Sequence, residues 1–231
     1  MSIRRRSLIG VTLSYLAAPK VFSNEILKKN DSYPRLVQGP MLGYVSSTSI
    51  FIWCRANGKN KVSVAIDLDK FFTNPTVVSE SVALSDNDFI TIHRIEGLKS
   101  NTYYYYRVII NDGNHLGSWA RRVPDLSYLP PFKFKTAPST GSYQDFRIGF
   151  GSCARLQSDH EQPIWDAVMR WRPELFLWLG DNVYADTASS EIRAGRYQQQ
   201  REIPSMQPLI RSVPQLATWD DHDYGYNDID G

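Results

Sequence analysis

The chain has 231 residues, of which 42% are hydrophobic, 13% aromatic and 22% charged, with a net charge of +2. This composition supports apolar cores and excludes a disordered tail, and the length suits about two domains of roughly 100–150 residues. Lys and Arg are mixed with Asp and Glu and form no long run after residue 6, which excludes nucleic acid as an expected partner.

Arg4, Arg5 and Arg6 precede a mildly apolar stretch over 8–18. It is too short to span a bilayer, which takes about 20 apolar residues. It fits the apolar region of an export signal. Arg5-Arg6-Ser7-Leu8-Ile9 resembles a twin-arginine (Tat) signal, so residues 1–23 are expected to be a leader cleaved after Ser23. The expectation is an exported protein, periplasmic or secreted, with no stable membrane span. The alternative is a basic arm that is never cleaved.

From 34 to 138 the pattern is all-β. Alternating runs over 49–54, 62–66 and 89–93 read as strands, with Asn57-Gly58 and Asp112-Gly113 as turns. In Gly97-Leu98-Lys-Ser-Asn-Thr102-Tyr-Tyr-Tyr-Tyr-Arg-Val108, alternation puts Tyr104, Tyr106 and Val108 on one face and Tyr103, Tyr105 and Arg107 on the other. The Gly-Leu-x-x-x-Thr-x-Tyr pattern resembles the corner of fibronectin type III domains. There the residue matching Tyr104 turns inward and bonds a backbone group upstream. Trp53 is expected in the core, and Cys54 as a buried thiol. A sugar-binding platform is the alternative for the tyrosine run. His93 and His115 read as structural or surface residues. The last strand is expected to end at Pro138, and 139–143 forms a polar linker.

The rhythm then changes to strand, helix, strand. Strands are expected over 146–150, 175–179 and 215–219, and helices over 163–170, around 191–201 and over 206–211. The run over 175–179 is continuously apolar, as in a strand buried on both faces. Each strand leads into polar residues: Gly151-Ser152-Cys153, then Gly180-Asp181-Asn182-Val183-Tyr184, then Asp220-Asp221-His222-Asp223. The C-terminal ends of such strands are where open α/β sheets bind ligands. A thiol, carboxylates, a phenol and an imidazole are metal-ligand types. Taken singly, Cys153 reads as a strand thiol, Asp181 as a turn cap, and Asp220, Asp221 and His222 as a solvated loop. Three successive strand ends make that joint reading weak. His160 reads as a loop residue, with the substrate pocket as its alternative.

In this order, the three motifs and the sandwich before them resemble the PhoD-like (alkaline phosphatase D) metallophosphatases of the calcineurin-like superfamily. The resemblance implies a fibronectin III/Ig-like all-β sandwich (34–138) followed by the N-terminal half of an α/β (αββα) metallophosphoesterase domain (144–231). It implies a ferric ion held by Cys153, Asp181 and Tyr184, with Asp181 bridging to a divalent ion, expected to be calcium. Asp221 would hold that second ion, with Asp220 and Asn227 as further candidate ligands. His222 would be the catalytic proton donor. A metal-bound hydroxide would attack a small phosphate ester, mono- or diester.

No histidine follows His222, whereas the family uses later ones. The chain is therefore expected to be a fragment, with a complementary C-terminal fragment as a partner. The alternative is an inactive remnant acting as a β-sandwich binding module.

Overall fold

The computed structural model describes residues 34–110 and 130–229. The expected leader, the Asp112-Gly113 turn and His115 lie outside the described residues. Among the described residues the strands are β1 (Leu36–Val45), β2 (Ile50–Ala56), β3 (Lys61–Asp67), β4 (Thr76–Val82), β5 (Ile90–Ile95), β6 (Tyr103–Ile110), β7 (Phe132–Lys135), β8 (Ile148–Gly151), β9 (Leu175–Leu179) and β10 (Gln215–Thr218). The α-helices are α1 (Ile164–Arg170), α2 (Ser190–Arg201), α3 (Gln207–Ser212) and α4 (Asp221–Tyr224).

Two antiparallel sheets, ordered β1-β2-β5 and β4-β3-β6-β7, form a β-sandwich. Alternation builds its core. Ile50, Ile52, Cys54 and Ala56 from β2 meet Val62 and Val64 from β3 and Tyr104, Tyr106 and Val108 from β6. The tyrosine corner forms as expected: the Lys99 N–H donates to Tyr104 Oη at 2.8 Å. Trp53 is a correction. The parity that buries Ile52 and Cys54 turns it to the outer face, where the Arg201 guanidinium lies 5.9 Å from its ring. The last strand ends at Lys135, before Pro138. His93 is buried between Ser79 Oγ and Thr91 Oγ1.

β1 and β4 had no clear signature. Register shifts around Gly39 and Pro40 disrupt alternation in β1, and β4 is mostly exposed.

Strands β8, β9 and β10 form a separate parallel sheet with β9 in the middle. Phe176 and Trp178 pack on Trp165, Ile203, Met206, Leu209, Ile210 and Val213. The opposite face, which carries Ile148, Phe150, Leu179 and Leu216, is exposed. β9 is thus buried on one face, because the helices cover that face alone among the described residues. Helix α1 begins at Ile164, with Pro163 at the cap.

Side chains tie the sandwich to this second layer. Tyr106 Oη donates to the Arg211 carbonyl at 2.7 Å. Gln38 donates to the Gln198 carbonyl at 2.9 Å and to Glu202 at 3.0 Å. No helix among the described residues is long and apolar enough to cross a membrane.

Candidate metal centre

The parallel register brings three loops together at the C-terminal edge of β8–β10. Backbone conformation sets their direction. Cys153, Asp181 and Asp186 all have positive φ, at 60°, 48° and 49°, a region that costs an L-residue about 1–2 kcal/mol. Seven other described non-glycine residues share the conformation, among them Phe72 and Asn101 in the sandwich, so it marks tight loop turns and is not particular to this edge. Gly180 (φ +95) serves differently: a Cβ there would lie 2.7 Å from Asp220 Cβ. Glycine alone lets the two motif loops approach this closely.

One ligand atom from each of Asp181, Asp221 and His222 falls within 4.8 Å of the others. Tyr184 Oη donates to Asp181 Oδ2 at 3.0 Å, and the Cys153 thiol lies 3.5 Å from the same oxygen. Asp181 Oδ1 is buried and has no hydrogen-bond partner. A buried carboxylate oxygen without a partner is costly, unless a cation takes the place. The donor set therefore fits a metal.

Burial pushes the Tyr184 phenol up, and its hydrogen bonds with Cys153 and Asp181 push it further. In the metal-free chain it is a neutral donor. The Asp221 carboxylate is held below the usual range, first by the Asp228 N–H and also by the His222 N–H. For His222, burial pulls the pKa down. The hydrogen bond and charge of Asp186, with the charges of Asp181 and Asp221, outweigh this and raise it.

His222 is fixed on several sides. Its Nδ1 meets Asp186 Oδ1. Its ring lies 4.3 Å from the Tyr184 ring, centroid to centroid. Its carbonyl accepts from the Ala185 N–H at 3.2 Å.

The remaining candidates sit at the margin. Asp220 caps α4, its Oδ1 accepting from the Asp221 N–H at 2.9 Å. Asn227 is exposed and donates to Asp228. His160 lies in an exposed loop.

Two residues escaped the sequence reading. Asp186 lies two positions beyond Tyr184, where the motif was taken to end. Asp223 is buried and accepts from Asn182 Nδ2, Val183 N, Tyr197 Oη and Asp220 N. It completes a capping box with Asp220. The Asp-x-x-Asp spacing was a readable signal for that box.

Residues 22–122 match the family described as PhoD-like phosphatase, N-terminal domain. No curated protein matches the chain. Among solved structures the fold is similar to that of PhoD, with a TM-score of 0.65 at 19% identity, covering 81% of this chain and 39% of that one. Purple acid phosphatase PPD1 from yellow lupin (Lupinus luteus) seeds gives a TM-score of 0.49 at 13% identity, covering 81% of this chain and 34% of that one. The chain thus spans about two fifths of the PhoD chain that it matches. Over residues 22–122, this chain is thus similar to the PhoD-like phosphatase N-terminal domain.

Proposed function

We propose that this PhoD-like chain carries the metal-binding half of a phosphoric ester hydrolase site. The unpartnered, buried Asp181 Oδ1 carries the reading. Around it, Cys153 and Tyr184, deprotonated on binding, would supply a thiolate and a phenolate, strong anionic donors for a ferric ion. Asp221, in the same 4.8 Å cluster, would hold a divalent ion such as calcium, and Asp181 would be a ligand to both. Asp220 and Asn227 are outer members of the same set. The parallel sheet is taken as the first sheet of an αββα domain over 144–231, behind the sandwich over 34–138.

Loaded cations supply Lewis acidity that neutralises charge developing on the ester's oxygens. The chain's own groups do the rest. Asp181 and Asp221 set where positive charge accumulates, and so where a phosphate ester settles. His222, with Nδ1 engaged by Asp186, has Nε2 available to hand a proton to the departing oxygen. The Arg5-Arg6 leader supports export as part of the same proposal.

The test is cation titration of the full chain by calorimetry, with phosphatase and phosphodiesterase assays alongside. Asp181→Asn is expected to weaken cation binding at least about tenfold. A wild-type chain that binds neither iron nor calcium, or binding unchanged by Asp181→Asn, refutes the reading.

A further inference from the structure

A cavity of about 220 Å³ lies between α2 and the segment around α4. Three aromatic side chains line it, Tyr197 from α2, Trp219 just after β10 and Tyr224 from α4, together with Arg193 and Asp223. The Trp219 ring is largely uncovered, at 72% exposure. A cavity of roughly 150 Å³ takes a benzene molecule, so this one admits a single substituted ring. The polar groups of the lining are unevenly spent. Asp223 accepts from four donors, so both of its oxygens are occupied. One of those donors is the Tyr197 hydroxyl, whose proton is therefore used. Arg193 gives Nη1 to the Tyr224 carbonyl at 2.8 Å, which anchors its side chain to α4. Among the described residues no carboxylate forms an ion pair with Arg193. A guanidinium carries five N–H donors, so most of these remain. The lining thus offers a guest aromatic faces, spare donors and a positive charge.

We propose that this cavity is a binding site for a small aromatic carboxylate, with the ring among Tyr197, Trp219 and Tyr224 and the carboxylate on Arg193. A flat ring suits aromatic walls through offset or edge contacts. A carboxylate suits the planar fork of a guanidinium. A cationic ring of the same size would meet the like charge of Arg193, and a plain hydrocarbon would leave its donors unmatched. One wall is α4, the turn that also carries Asp221 and His222. The cavity therefore shares an element with the candidate metal centre but none of its ligands. The inference goes beyond the phosphatase reading and does not depend on it.

The full chain is titrated with benzoate and, separately, with benzylamine, a cation of similar size. A chelator is present throughout, so that no cation draws the carboxylate to the motif loops. Ligand-observed NMR and calorimetry read the binding. Benzoate is expected to bind with a Kd of about 1 mM or tighter, and benzylamine at least about tenfold more weakly. Arg193→Gln should weaken benzoate roughly tenfold or more, with part of the loss recovered in Arg193→Lys, which keeps the charge without the fork. Trp219→Ala removes an exposed wall and should weaken benzoate about three- to tenfold. Circular dichroism checks that each variant is folded. Should Arg193→Gln not fold, Trp219→Ala and the contrast with benzylamine decide the matter. No benzoate binding, equal binding of the two probes, or benzoate binding unchanged in folded Arg193→Gln or in Trp219→Ala overturns the inference. Each of those results leaves the phosphatase reading standing, because that reading is tested by cation binding and ester hydrolysis.

Discussion

Replacing Asp223 by Asn should loosen the junction between two of the three motif loops. The carboxylate receives four donors. Oδ1 takes Val183 N at 3.1 Å and Tyr197 Oη at 2.9 Å, and Oδ2 takes Asn182 Nδ2 and Asp220 N, both at 3.0 Å. An amide keeps one acceptor oxygen, so two donors retain partners and two face an NH2 group. A buried donor left unpaired costs about 1–3 kcal/mol, which makes the expected loss about 2–6 kcal/mol. Domains of this size have total stabilities of only about 5–15 kcal/mol. Urea unfolding followed by tryptophan fluorescence measures the loss, with exposed Asp86→Asn as the control. A shift below about 1 kcal/mol would refute the four-bond account. If the variant stays folded, its cation affinity should fall too, because Asn182 and Val183 adjoin Asp181.

Two further expectations concern the sandwich and the thiols. Burial holds the His93 imidazole below its ordinary pKa. The unfolded chain therefore takes up a proton that the folded chain resists as pH falls below about 6.5, and stability should drop there. Urea midpoints at pH 7.5 and 5.5 check this: wild type should lose more than His93→Gln, and equal losses would sink the idea. Cys54 is buried, with its thiol pushed up by burial, whereas Cys153 is exposed. A thiol-reactive dye should modify one cysteine rapidly in the native chain and the second only on unfolding. Rapid loss of both, or fast labelling that survives Cys153→Ser, would contradict the assignment.

Much of this fold was legible wherever one local rule governed a segment. Period-two alternation marked β2, β3, β5 and β6, and the Gly97-to-Tyr104 spacing marked the corner. The apolar run 175–179 marked β9. Trp53 was misplaced because an aromatic side chain suggests a core, while strand parity decides the matter. β1 was hidden by its register shifts, and β4 by its exposure. In the site, residue types at strand ends pointed to Cys153, Asp181, Tyr184, Asp221 and His222, since strand direction alone brings them to one edge. Asp186 was not legible: its place depends on loop conformation and on contacts between loops, which short-range patterns do not encode. Asp223 shared its run with residues of more obvious chemistry and was passed over.

The left-handed backbone at Cys153, Asp181 and Asp186 has a consequence for how this site can be lost. Glycine at any of them would relieve about 1–2 kcal/mol of local strain and forfeit about 0.4–1 kcal/mol through the freer unfolded chain. The balance is a gain of about 0–1.6 kcal/mol, against which stand the lost hydrogen bonds of Asp181 with Tyr184 and of Asp186 with His222, so substitution at these positions need not cost the fold much. A lineage could therefore lose its chemistry one loop at a time while keeping the architecture intact. Fold similarity is then a poor witness to activity in such chains. The side chains still standing at these three positions are the better one.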